Sequence, residues 1–133
     1  MSMRDPLLEL LDFAMDAAFD AGRLTLRYFQ SSIDVERKGD DTPVTRADRE
    51  TEALLRDRIE KRFPGHGILG EEYGETGPDG ASVRWVLDPI DGTKSFICGV
   101  PLYAVLIGIE VEGVSRVGVV HFPGLSDMLG AAH

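Results

Sequence analysis

The strongest constraint on the fold is a change of pattern at Pro64-Gly65. Before it, apolar residues recur at three- and four-residue steps; after it, they come in short runs broken by glycines and turn residues. The first pattern suits helices and the second suits strands. Asp5-Pro6 supplies a capping residue followed by proline at the first helical position. Leu7, Leu8, Leu11, Ala14, Ala18, Ala21, Leu24, Tyr28 and Phe29 then mark one face of a helix predicted to run to about Gln30. Residues 31–44, which contain Lys38-Gly39-Asp40-Asp41-Thr42-Pro43, read as a loop. A second helix is predicted from about Thr45 to Arg62, with Ala47, Thr51, Leu54, Leu55 and Ile59 on its face and Phe63 just beyond.

Past the break, Gly67-Ile68-Leu69-Gly70 reads as a short strand and Glu71 to Ala81 as a polar loop. Val83 to Leu87 reads as a buried strand ending at Asp88. Apolar strands from Leu102 to Val111 and from Val114 to Phe122 meet at Glu112-Gly113, a hairpin signal. Pro123-Gly124 turns the chain, and Met128 to Ala132 opens another strand. Two long helices followed by an antiparallel run predict an α+β layer, with the helices packed on a mostly antiparallel sheet. The last strand stops at His133, so the sheet is expected to be incomplete and to end on an exposed edge.

The 133 residues suit one domain, and 43% hydrophobic with 28% charged residues is a globular, soluble composition. No stretch approaches the ~20 apolar residues that span a bilayer. The opening Met1-Ser2-Met3-Arg4-Asp5 leads into a segment broken by Glu9, Asp12, Asp16 and Asp20, which is no signal peptide, so a cytoplasmic location is expected. A formal net charge of −9 disfavours nucleic acid and anionic membrane as partners. The single cysteine, Cys98, excludes an intrachain disulfide, and its neighbours Phe96, Ile97 and Val100 predict a buried thiol. His66, His121 and His133 show no zinc spacing.

Chemistry is concentrated at Trp85-Val86-Leu87-Asp88-Pro89-Ile90-Asp91-Gly92-Thr93. A buried strand delivers Asp88 to its end, Pro89 interrupts the ladder, and Asp91 lies one turn further on. The Ile90 carbonyl between the two carboxylates is a third oxygen. Gly92 admits close backbone approach, and the amides of Gly92 and Thr93 can face an anion. An all-oxygen set of this kind suits a hard divalent cation. Asp-Pro and Asp-Gly are equally ordinary turn dipeptides. Two further acidic segments stand beside it: Gly70-Glu71-Glu72 after a strand, and Thr45-Arg46-Ala47-Asp48 opening a helix. Each has a plain alternative, a solvated loop for the first and a dipole-complementing helix start for the second.

Together the three segments resemble the inositol monophosphatase family. Its Asp-Pro-Ile-Asp-Gly-Thr signature with a following Phe stands at 88–93 and Phe96, its Gly-Glu-Glu at 70–72, and its Val-Thr-x-x-Asp at 44–48. The resemblance implies a magnesium-dependent phosphatase, with manganese as a substitute, and an αβαβα sandwich of which this chain is an incomplete part. By the same resemblance Glu71, Asp88, Asp91 and the Ile90 carbonyl are magnesium ligands. Thr93 and Asp48 orient and deprotonate the attacking water, with Glu71 assisting through a metal, and the amides of Gly92 and Thr93 cradle phosphate, with Lys38 nearby. The implied reaction is hydrolysis of a small phosphate monoester by metal-activated water, without a phosphoenzyme. Lys94-Ser95-Phe96 and Gly99-Val100-Pro101 resemble the histidinol-phosphatase branch, so histidinol phosphate is the expected substrate. The alternatives are inositol 1-phosphate or a related sugar or nucleotide phosphate.

Family chains are about twice this long. Their second half holds a further metal-binding aspartate in a Trp-Asp-x-Ala-Ala-Gly-like segment that has no counterpart between Leu102 and His133. Residues 1–133 are therefore expected to match an amino-terminal half only, as one α+β domain without its carboxy-terminal half. The alternatives to an enzyme are a non-catalytic metal-binding fragment and an inert gene fragment. A homodimer, or association with the absent half, is expected.

Overall fold

The computed structural model describes residues 5–30 and 43–133, with side chains from Arg46 onward in the second segment. The loop predicted at 31–44 falls almost wholly outside the described residues, and Lys38 with it. Helix α1 spans Pro6–Leu26 and helix α2 Pro43–Arg62. Asp5 caps α1, its carboxylate accepting from the Leu7 amide at 2.9 Å, with Pro6 filling the first helical position where no amide is needed. The helix stops four residues earlier than the apolar period suggests, and turns carry the chain through Gln30, whose φ is 56°. The Gln30 amide instead donates to the Gly99 carbonyl at 2.8 Å.

Six strands follow: β1 (Gly67–Gly70), β2 (Gly74–Thr76), β3 (Val83–Asp91), β4 (Ala104–Val111), β5 (Val114–Phe122) and β6 (Asp127–Ala132). A short helix, α3 (Thr93–Ile97), separates β3 from β4, and a single 3-10 turn at Pro123–Leu125 separates β5 from β6. They form one sheet in the order β2-β1-β3-β4-β5-β6. All neighbours are antiparallel except β1 and β3, which run parallel. Glu112 and Gly113, with φ of 50° and 79°, make the β4–β5 hairpin turn as their sequence predicts.

Both long helices lie on one face of this sheet, α1 against β4, β5 and β6 and α2 against β3. The face α1 buries is mostly small: Ala14, Ala17, Ala18, Ala21 and Gly22. That stripe lets the helix backbone sit close to the strands; a Cβ at Gly22 would stand 2.6 Å from the His121 ring. Beneath the helices, Trp85, Leu87, Val105, Ile107, Ile109, Val117 and Val119 complete the main core. The opposite face carries Val86, Leu106 and Val120, half-buried, and Leu129, which is 66% exposed on edge strand β6. Among the described residues, no helix is long and apolar enough to cross a membrane.

Cys98 is exposed, which corrects the expectation of a buried thiol. The residues that suggested burial are themselves at the surface, Ile97 at 65% and Val100 at 39%, and only Phe96 turns inward.

Candidate active site

Strand β3 starts in the core and ends in solvent. Its ladder with β4 is regular from Val83 opposite Val111 to Asp88 opposite Leu106, then resumes with Asp91 opposite Ala104. Three steps on β3 answer two on β4, so one extra residue is accommodated around Pro89 and Ile90. Proline, lacking an amide, is tolerated at such a bulge. The strand therefore continues past Asp88, where the sequence had predicted its end, and the bulge re-aims the two aspartates. Ile90 is buried beside Ala47, Phe96 and Tyr103, which anchors the bulge from below.

Gly92 follows with φ 88°, a left-handed conformation that favours glycine. It opens α3, whose Phe96 amide donates to the Gly92 carbonyl at 3.1 Å. Thr93, the first residue of α3, is exposed, as are Asp91 and Gly92. The sequence reading missed α3 because its Thr-Lys-Ser-Phe-Ile segment carries no apolar period.

Two other segments reach the same end of the sheet. The turn between β1 and β2 carries Glu71 and Glu72, and the beginning of α2 carries Asp48. Their proximity is visible in their acidities. Burial raises the Asp48 carboxyl to about 7, with repulsion from Glu72, Asp88, Glu71 and Glu52 adding to it. Asp88 is raised by burial, then by Asp91 and Glu71, against a hydrogen bond from the Ile90 amide. Glu72 is raised by burial, then by Glu52 and Glu71, with Arg49 opposing. Residues distant in sequence thus act on one another as a single acidic field. Among the described residues, no three acidic, histidine or cysteine side chains close into a ready metal cage. Asp48, Glu71, Asp88 and Asp91 are neighbours whose charges repel, and Lys38 lies outside the described residues.

One member of this field escaped the sequence reading. Glu52 is fully buried, accepting hydrogen bonds from the amides of Glu72 at 3.1 Å and Tyr73 at 2.9 Å and from Arg56 Nε at 3.0 Å. Arg56 in turn donates to Thr76 Oγ1 at 2.8 Å and to the Gly74 carbonyl. Asp48, Glu52 and Arg56 recur every fourth residue along one side of α2. That charged spacing was the available signal, beside an apolar face that drew attention to Leu55 and Ile59. Strand β2 escaped for a related reason, since Gly74-Glu75-Thr76 holds no apolar side chain.

A helix-backed α+β sheet with carboxylates gathered at one end of its central strand defines a layered fold with a polar, acidic site. The chain belongs to the inositol monophosphatase family, whose model matches residues 7–133. That match corrects the expectation of a resemblance to an amino-terminal half only: membership runs over nearly the whole chain. It is 52% identical over 122 residues to a histidinol-phosphatase of Chlorobaculum parvum and 42% identical over 123 residues to one of Mycobacterium tuberculosis. These alignments take in 91% and 92% of this chain and 47% of each relative, so the chain spans about half the length of the curated relatives it matches. An inositol monophosphatase structure from Zymomonas mobilis superposes with a TM-score of 0.83 at 32% identity, covering 97% of this chain and 49% of that one. Two long helices on one face of a mostly antiparallel sheet make an incomplete version of that family's sandwich. The family is generally Mg2+-dependent.

Proposed function

We propose that the protein hydrolyses a small phosphate monoester with Mg2+, and that histidinol phosphate is its substrate. The observation that carries this is the convergence of Asp48, the Glu71-Glu72 turn and the Asp88–Asp91 bulge on one sheet end. The donor set fits the ion. It is entirely hard oxygen, and burial followed by repulsion from neighbouring carboxylates raises the pKa of Asp48, Asp88 and Glu72, as at a site that gathers negative charge for a divalent ion. Glu71, Asp88, Asp91 and the Ile90 carbonyl would hold Mg2+, with Mn2+ as a substitute. Bound there, the ion supplies positive charge that polarises the phosphoryl group and acidifies water.

The remaining work falls to the chain. The amides of Gly92 and Thr93, where the backbone turns through a left-handed glycine, hold phosphate oxygens, assisted by Lys38. The Thr93 hydroxyl orients the attacking water, and the Asp48 carboxylate accepts its proton. Asp48 is half-buried, and that burial is the first cause of its raised carboxyl pKa, which favours proton uptake there. Glu71 assists from the facing turn.

Histidinol phosphate is supported by the names of the relatives at 52% and 42% identity. Inositol 1-phosphate is the second reading, supported by the likeness to the Zymomonas mobilis structure. A cytoplasmic setting and self-association, for which exposed Leu129 on edge strand β6 is suited, complete the proposal. A phosphate-release panel with saturating Mg2+ tests the substrate. Histidinol phosphate should be turned over ahead of inositol monophosphate, and the reverse order would replace the substrate while leaving the site assignment intact.

A further inference from the structure

We infer that Glu52 is a positioning residue that fixes Glu71 for metal binding by clamping the turn that carries it. Glu71 is exposed on the tight β1–β2 connection, whose ends are tied by the pairing of Gly70 with Gly74. A second restraint comes from behind. The Glu52 carboxylate, at zero exposure, accepts from the two amides that follow Glu71, those of Glu72 and Tyr73. Its charge is held by Arg56, which also grips the far strand of the same hairpin through Thr76 and Gly74. Gly70 leaves room for this carboxylate, since a Cβ there would collide with it. Both residues before and after Glu71 are thus built around one buried acid.

Burial of a carboxylate is costly and is offset here by three hydrogen bonds, one of them from a cation. A turn amide in solvent would be satisfied by water at no such cost. The arrangement therefore secures the position of the turn, on the same helix that presents Asp48 one turn earlier. Groups that orient a ligating carboxylate in this way govern metal affinity without touching the metal.

The inference rests on Glu71 being a ligand, and the test separates the two. Mn2+ titration and amide hydrogen exchange are compared for the parent, Glu52→Gln, Gly70→Ala and Glu71→Gln, each shown to be folded by its far-UV spectrum and melting transition. Glu52→Gln loses the charge and one acceptor; Gly70→Ala displaces the carboxylate without altering it, and stands in should the first not fold. Either should speed exchange at the Glu72 and Tyr73 amides by at least about tenfold and weaken Mn2+ by roughly 10–100-fold. Glu71→Gln should weaken Mn2+ while leaving those two amides slow. Fast exchange with parent-like Mn2+ affinity in the clamp variants, beside weakened binding in Glu71→Gln, would reduce Glu52 to a structural role. Parent-like affinity in Glu71→Gln would instead remove the ligand assignment itself.

Discussion

The two ends of strand β3 are built on opposite terms. At its start, Trp85 is completely buried and its indole donates to His66 Nδ1 at 3.0 Å. Phe13 and Phe63 meet the same ring edge-on and tilted, at 5.8 and 5.7 Å between centroids, and Phe63 stacks on His66 at 4.7 Å. At its finish, Asp88 and Asp91 lie near Asp48, Glu71 and Glu72, and burial followed by mutual repulsion pushes the pKa of Asp48, Asp88 and Glu72 upward. Helix α2 spans both, with Ile59 over the aromatic end and Asp48 over the acidic one. One end is closely packed and satisfied. The other gathers carboxylates that repel one another, with Arg49 opposing at Glu72, and such clusters of shifted groups concentrate at functional sites.

If the two ends are separate in function, damage to each should be felt in a different measurement. The largest effect belongs to Trp85→Ala, which removes the ring between three aromatic neighbours and strands the His66 nitrogen. It should cost about 3–5 kcal/mol in denaturant unfolding, while any folded fraction keeps the parent's divalent-ion affinity. A loss of ion affinity in that folded fraction would show that the ends are coupled.

Thr93→Ala should act the other way round. If the proposed hydrolysis is the activity, kcat should fall by roughly 10²-fold, the scale of losing a group that sets up proton transfer. The melting temperature should barely move, because Thr93 is exposed. Intact turnover would leave Thr93 as no more than the first residue of α3.

Asp48→Asn should give the smallest change and the most telling sign. The folded carboxyl lies near 7 against an ordinary 3.8, so the folded state binds its proton more tightly than the unfolded chain does. The stability it contributes is full below about 4 and is lost as pH rises through 7. Without divalent ions at pH 8, Asp48→Asn should therefore be more stable than the parent by roughly 1–2 kcal/mol, after discounting for partial exposure. The advantage should vanish near pH 4. A variant less stable than the parent at pH 8 would mean that the acidic end is structurally satisfied after all.

The two ends also differed in how openly the sequence displayed them. The core was legible where burial follows period: Ala14, Ala18 and Ala21 on α1, and alternating Trp85 and Leu87 on β3, report their own faces. Buried Leu10, by contrast, stood outside the face the period marked, and Leu8, on that face, is exposed. The three acidic motifs were legible because each sits at an element's end, where a carboxylate needs an explanation. Glu52 was hidden because an acid on a helix ordinarily reads as solvated; its burial depends on amides about twenty residues away. The bulge at Pro89 was hidden because proline announces an interruption without saying whether the strand resumes. Cys98 misled because apolar neighbours imply burial only when they are themselves buried, and Ile97 is not. Local pattern identifies elements and their ends; it does not show which distant backbone groups a side chain will serve.

The assignment of the acidic end as a metal site is tested most directly by calorimetric titration of Mg2+ or Mn2+ into the protein and into Asp88→Asn, with and without phosphate. The parent should bind saturably and more tightly when phosphate is present, and Asp88→Asn should bind much more weakly under both conditions. Equal divalent-ion affinity in the two proteins would contradict the assignment.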